Sequence, residues 1–264
     1  VKSLCQILID GDTDEIVNSL KDFAVVDKNE RGILIEPYNI DESDFVNKVA
    51  SILAKLIIDK YEEGKVLKII ETNYGYFDVP ERREILEKTF NFLRYDKSTG
   101  SYNKRVQIIK KDLCDYLMQN DSLIIEGFVN FRLGEYKKEL EQIVEKVVEE
   151  YITYKEYTEF IGLLRYFVEI QAPKCKEVHI LVNQNKGYTI LDEKLNDITK
   201  ECIDEFLSEV KGLDVGFDDL LISALITLAP LRVYIHNSQD FKNQEIIKTI
   251  CEIFVGRTTI CEAF

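Results

Sequence analysis

Residues 178–191 read V-H-I-L-V-N-Q-N-K-G-Y-T-I-L, two short apolar runs around a Gly187 turn. Val178 to Val182 and Tyr188 to Leu191 are rich in β-branched and aromatic side chains, so they predict a β-hairpin with a longer loop. Downstream, Arg232 to His236 and Thr258 to Cys261 repeat the strand signal on either side of a helical Gln244 to Phe254. Strand, helix and strand in that order add two parallel strands to the hairpin, which predicts a mixed sheet. Helices are expected at Ile198 to Val210 and, buried on all sides because its apolar residues run round the whole circumference, at Phe217 to Ala229.

Upstream the period changes to that of helices. Leu133, Tyr136, Leu140, Val144, Val147 and Tyr151 recur at steps of three and four, which predicts a long amphipathic helix. A second helix carrying Phe160, Leu163, Leu164, Phe167 and Val168 is expected before Pro173. Together they read as a packed helical pair or, on a sharper reading, as a partner-binding seam. Earlier helices follow from Phe45, Val49, Ile52, Leu53, Leu56 and Ile57, ending near Gly64, and from shorter stripes at 66–74, 86–93 and 106–117. The first forty residues read as strand (Leu4 to Ile9), helix (Asp12 to Val25) and strand (Ile33 to Ile35). The fold class is therefore α/β of the mixed α+β kind. Its expected regions are a βαβ-like start over 1–40, a helix-rich middle over 41–172 and a C-terminal mixed sheet over 173–264.

Composition sets bounds on function. With 264 residues and 45% hydrophobic content the chain can bury a full core. Its net charge is −14, and each of the stretches 1–100, 101–174 and 175–264 carries more acidic than basic residues. Lys104, Arg105, Lys110 and Lys111 form the best cationic cluster. With Asp112 and Asp115 beside them they read as a solvated face, and nucleic acid is not an expected partner. The start V-K-S-L-C-Q-I-L-I-D-G-D shows no leader pattern, and no run reaches the ~20 apolar residues of a membrane span. The six cysteines show no C-x-x-C spacing, so no metal or cofactor is expected, and the expected setting is a reducing cytoplasm.

Several constellations could carry chemistry. I-L-I-D-G-D-T at 7–13 places Asp10 and Asp12 after a strand, as in Mg²⁺-dependent phosphoryl transfer of the haloacid dehalogenase type. The Gly between the two carboxylates and Asp14 and Glu15 after them depart from that pattern. The same stretch opens like an EF-hand loop but has Glu15 where the sixth-position Gly belongs. His179 and His236 each fall on or at the end of an expected strand; if those strands are neighbours the rings could be close and would suit acid–base or metal chemistry, with a hydrogen-bonded structural role preferred. Arg165, Tyr166, Glu169 and Gln171, with Arg132 upstream, interrupt apolar stripes and are the candidate polar interaction site. Mononucleotide loops, dinucleotide turns, nucleophile elbows and H-E-x-x-H helices do not occur in the sequence.

Four segments carry a resemblance: N-F-R-L at 130–133, K-E-Y-T-E-F-I-G-L-L-R-Y-F-V-E-I-Q-A-P at 155–173, V-H at 178–179 and D-D-L-L-I-S-A-L-I-T-L-A-P at 218–230. In order and spacing they resemble the YtxC-like sporulation proteins, chiefly across 127–262. The resemblance implies a role in endospore formation and supplies no catalytic set. The expected function is that of a non-enzymatic protein with a protein partner, with phosphoryl transfer through Asp10 and Asp12 and nucleic-acid binding as the alternatives.

Overall fold

The computed structural model describes residues 5–9, 14–29, 32–95, 100–182, 187–203 and 216–262. The expected helix at 198–210 therefore lies largely outside the described residues, and Asp10 and Asp12 lie wholly outside them. The chain divides into two compact units, Val1–Ile152 and Thr153–Phe264.

The first unit carries a four-stranded sheet in the order β2-β3-β1-β4, from β1 (Cys5–Leu8), β2 (Ala24–Asn29), β3 (Gly32–Pro37) and β4 (Ser122–Ile124). β1 is antiparallel to β3 and parallel to β4, while β2 and β3 form an antiparallel hairpin. Helix α1 (Asp14–Leu20) stops earlier than its stripe suggested, because the apolar residues after it belong to β2. Gly32 is obligatory at the start of β3. Its φ of 151° is open to glycine, and a Cβ there would overlap the Ile7 carbonyl of the neighbouring strand.

Helix α2 (Glu42–Asn73) is capped by Asp41, whose carboxylate accepts from the Asp44 N–H at 2.9 Å. It runs through Gly64, where the sequence suggested an end. One central glycine costs a helix ~1 kcal/mol, less than is gained by burying Ile57, Ile58, Val66, Ile69 and Ile70 on either side of it. Helix α3 (Val79–Tyr95) begins with a reciprocal box: the Glu81 N–H donates to Asp78 at 2.8 Å and the Asp78 N–H donates to Glu81 at 2.9 Å. Helices α4 (Ser101–Gln119) and α5 (Ile125–Phe131) follow, and α4 packs along α2.

Arg105 of α4 is 1% exposed, which overturns its placement on a solvated face. Its Nε donates to Glu62 Oε2 of α2 at 2.9 Å and its Nη1 to Ser101 Oγ at 2.9 Å. Tyr136 Oη donates to the same Glu62 oxygen at 2.8 Å, and burial, then the Glu62 charge, pushes the phenol far above its ordinary value. Lys104, also in the expected cationic cluster, pairs with Glu139 at 2.6 Å.

Helix α6 (Gly134–Ile170) is one continuous helix where two were expected. No Gly or Pro separates Tyr151 from Phe160. Instead the buried residues change phase: Tyr136, Leu140, Val144 and Val147 follow one line, and Tyr157, Ile161, Leu164 and Val168 follow another, offset by roughly a quarter turn at 100° per residue. Residues up to Ile152 belong to the first unit and those from Thr153 to the second.

The second unit's sheet has the order β6-β5-β7-β8, from β5 (Glu177–Val182), β6 (Tyr188–Leu191), β7 (Arg232–His236) and β8 (Thr258–Cys261). β5 and β6 form the antiparallel hairpin, and β7 and β8 add in parallel, as the sequence pattern implied. Val178, Ile180, Val233 and Ile235 point to one face and form a core with the second part of α6, with α7 (Phe217–Leu228) and with α8 (Gln244–Ile253). No helix among the described residues is long and apolar enough to cross a membrane.

Removing one partner of the Glu62–Arg105 pair leaves a buried charge uncompensated, at a cost of ~3–5 kcal/mol. Glu62→Leu should lower the unfolding free energy by about that much in urea titrations followed by circular dichroism. Adding Arg105→Met should recover part of the loss, and a double-variant loss equal to the sum of the two single-variant losses would show that the pair is not coupled.

Candidate functional site

A groove of about 870 Å³ lies in the second unit. It opens beside the carboxyl end of β5, at Val182, and beside the segment that follows β7, at Asp240 to Asn243. Crevices outside the carboxyl ends of parallel strands are where α/β sheets bind ligands. Phe160 and Leu164 of α6 form one wall and Ile222, Ser223 and Ile226 of α7 another, with Ile246 and Thr249 of α8 also contributing. Helix α7 is thus not buried on all sides: Leu220, Leu221, Ala224 and Leu225 are buried, while Ile222, Ser223 and Ile226 are half-exposed and line the groove.

One carboxylate fixes the rim. Asp218, in the first turn of α7, accepts from Tyr188 Oη through Oδ1 and from Asn243 Nδ2 at 2.8 Å through Oδ2. Asn243 is also the N-cap of α8, its Oδ1 accepting from the Glu245 N–H at 3.1 Å. Burial and the Asp218 bond raise the Tyr188 phenol above its ordinary value, which keeps it a donor. Gln244 holds the preceding turn by donating to the Ser238 and Phe241 carbonyls. Asp219, Asp240 and Glu245 stand exposed on the rim, with Lys242 as a counter-charge.

The histidines meet. Register places His179 beside Tyr234, and His236 lies two residues further along β7 on the same face. His179 Nδ1 lies 2.9 Å from His236 Nε2, so one ring donates N–H to the lone pair of the other. His179 also stacks on Tyr234, with centroids 4.8 Å apart and planes 12° apart. Burial, and secondarily the His236 charge, holds His179 below its ordinary value of 6.5, against the opposing pull of Glu177. Among the described residues no group of three or more His, Cys, Asp or Glu is placed to hold a metal ion.

The other expected polar residues are dispersed. Arg165 donates to the Glu252 backbone carbonyl, through Nε at 3.0 Å and Nη2 at 2.6 Å, and so caps the last turn of α8 with a cation where the helix dipole is negative. Tyr157 binds the same residue's side chain, donating to Glu252 Oε2 at 2.7 Å. Tyr166 and Glu169 are exposed on α6 and Gln171 is half-exposed just past its end. Arg132 caps α5 in the first unit, its guanidinium 5.9 Å from the Tyr116 ring centre. Asp240, Glu245 and Tyr188 escaped sequence reasoning because the groove they share is assembled from β6, α7 and α8. The signal that could have flagged them is the surplus of apolar residues on α6 and α7.

Two outcomes follow from these contacts. Because folding lowers the His179 pKa, the unfolded chain binds more protons just below pH 6.5, so stability is full above that pH and falls as the pH drops through the window beneath it. Thermal melts between pH 8 and 5 should show this loss, and His179→Gln should flatten that part of the profile. Arg165→Met should cost ~2 kcal/mol in urea unfolding, since its two bonds carry a charged donor. Arg165→Lys should recover part of this, because an ammonium does not reproduce the guanidinium fork.

Comparison with known proteins adds to this geometry. The YtxC-like family matches residues 47–259, which takes in the whole groove. A Bacillus subtilis (strain 168) protein that bears the name uncharacterized protein YtxC is 27% identical over 217 residues, covering 78% of this chain and 73% of that protein. No solved structure matches the chain. With a family match spanning most of its length, from the α2 helix to the last strand, the chain belongs to the YtxC-like family.

Proposed function

We propose that this chain serves endospore formation as a cytoplasmic, non-enzymatic interaction protein whose docking site is the groove of the second unit. The observation that carries the reading is the unused apolar surface on that groove's walls. Phe160 and Phe217 line it while remaining 56% and 60% exposed, and the Ile222 and Ile226 side of α7 opens into it. Large apolar side chains gathered in one exposed patch mark surfaces that bind partners. The rim's polar groups support docking over turnover: Asp218 is held by two donors and shapes the groove. The sporulation setting comes from the family resemblance. The acidic rim disfavours a phosphate backbone, and the buried Arg105 is lost to any cationic face.

Phe160→Ser combined with Leu163→Ser changes two half-exposed side chains, so stability should move by less than ~1 kcal/mol. Tagged wild-type and variant proteins would be recovered from sporulating cells of the native host and their bound proteins quantified. A near-stoichiometric partner should accompany the wild type and be depleted from the variant. Equal recovery with both, or Mg²⁺-dependent hydrolysis of a phosphate ester that Asp10→Asn abolishes, would overturn the reading.

A further inference from the structure

We infer that the occupant of the groove is an amphipathic α-helix with Lys or Arg flanking its apolar face, an inference that rests on the docking reading above. The shape argument starts from α6. Phe160 lies on the groove, and Leu163, Phe167 and Ile170 continue from it at steps of three and four, each 43% exposed or more. At 1.5 Å per residue this stripe runs ~15 Å, almost three helical turns. A small molecule in the groove would leave that stripe in water. A helix laid along α6 would cover it while its central apolar side chains enter between α6 and α7.

Charge selects the helix's flanks. Among the described residues that line the groove, Asp219, Asp240 and Glu245 are exposed at the rim and Lys242 is the one cation. Asp219 and Glu245 sit in the first turns of α7 and α8, so they also offset the positive ends of those two helices and leave the rim acidic. An acidic helix would meet like charge, whereas a basic one pairs with the rim as its apolar face desolvates. The whole chain, at −14, adds a field that attracts the same partner.

The protein contains no Trp, so a Trp within a probe peptide reports its own burial. Two synthetic 18-residue helical peptides would be titrated with the full chain. They share Leu at helical spacing and one Trp, and carry either Lys or Glu at all polar positions. The Lys peptide should bind with a blue-shifted Trp emission, and the Glu peptide at least ~10-fold more weakly. The triple variant Asp219→Asn, Asp240→Asn, Glu245→Gln should weaken the Lys peptide ~10-fold, and so should a rise to 0.5 M salt. Phe160→Ser with Leu163→Ser should weaken it as well. Equal affinity for the two peptides, indifference to either set of substitutions, or binding of neither peptide would overturn the inference. If neither peptide binds while recovery of a cellular partner still depends on Phe160 and Leu163, only the occupant is wrong. If that dependence fails too, the docking reading falls with it.

Discussion

Strand parity governs the second unit. Successive side chains of a strand point to opposite faces, so once β5 and β7 pair with Val178 beside Val233, every other placement follows. Val178, Ile180, Val233 and Ile235 take the helix-bearing face, and Tyr188, paired with Val182 in the hairpin, shares it. That is why the Tyr188 hydroxyl reaches Asp218 in the first turn of α7. Asp218 in turn receives the α8 cap residue Asn243, so a single carboxylate joins an edge strand to two helix starts. The same parity sends His179, Tyr234 and His236 to the opposite face, where their rings stack. A one-residue slip of β5 would turn Val178, Ile180 and Val182 away from the helices and His179 towards them.

The first unit is organised by a different constraint, a guanidinium that has no access to water. Arg105 is admitted to the interior only because Glu62 and Ser101 receive its donors, and Tyr136 occupies the remaining direction at Glu62 Oε2. Such a cluster adds little net stability over well-packed apolar residues, since desolvation offsets most of the attraction. What it supplies is register: α2, α4 and α6 have to stand where three side chains can meet at one oxygen. An apolar contact tolerates sliding by a turn. This one does not.

Legibility in the sequence followed the range of the interactions. The hairpin at 178–191 and the parallel strands after it were readable because their signals are local, whereas the approach of His179 to His236 depended on β5 and β7 being neighbours, which the sequence left open. Gly64 was misread because local propensity outweighed burial supplied by segments distant in sequence, α4 chief among them. The single helix α6 was misread because its apolar stripe changes phase without a breaker residue. Charge patterning placed Arg105 outside, since its partner Glu62 lies 43 positions away. Arg165 could be recognised as an Arg interrupting an apolar face, but its acceptor is a backbone carbonyl of α8, and no side-chain pattern encodes that.

The surplus of apolar surface on α6 and α7 is the remaining link between fold and function. The second part of α6 meets the second unit's core through Tyr157, Ile161, Leu164 and Val168, yet Phe160, Leu163 and Phe167 extend the apolar arc well beyond them. Helix α7 likewise buries Leu221, Ala224 and Leu225 and turns Ile222 and Ile226 towards the groove. Apolar area left in water forgoes ~25 cal/mol per Å² of stabilisation. A sequence under selection for folding alone would replace those positions with Lys or Glu, as the solvated side of the first part of α6 does. Their presence beside a rim with three exposed carboxylates among the described residues fits the proposal that this surface is covered for part of its working life. On the docking proposal, the acidic rim limits which apolar segments can cover that surface.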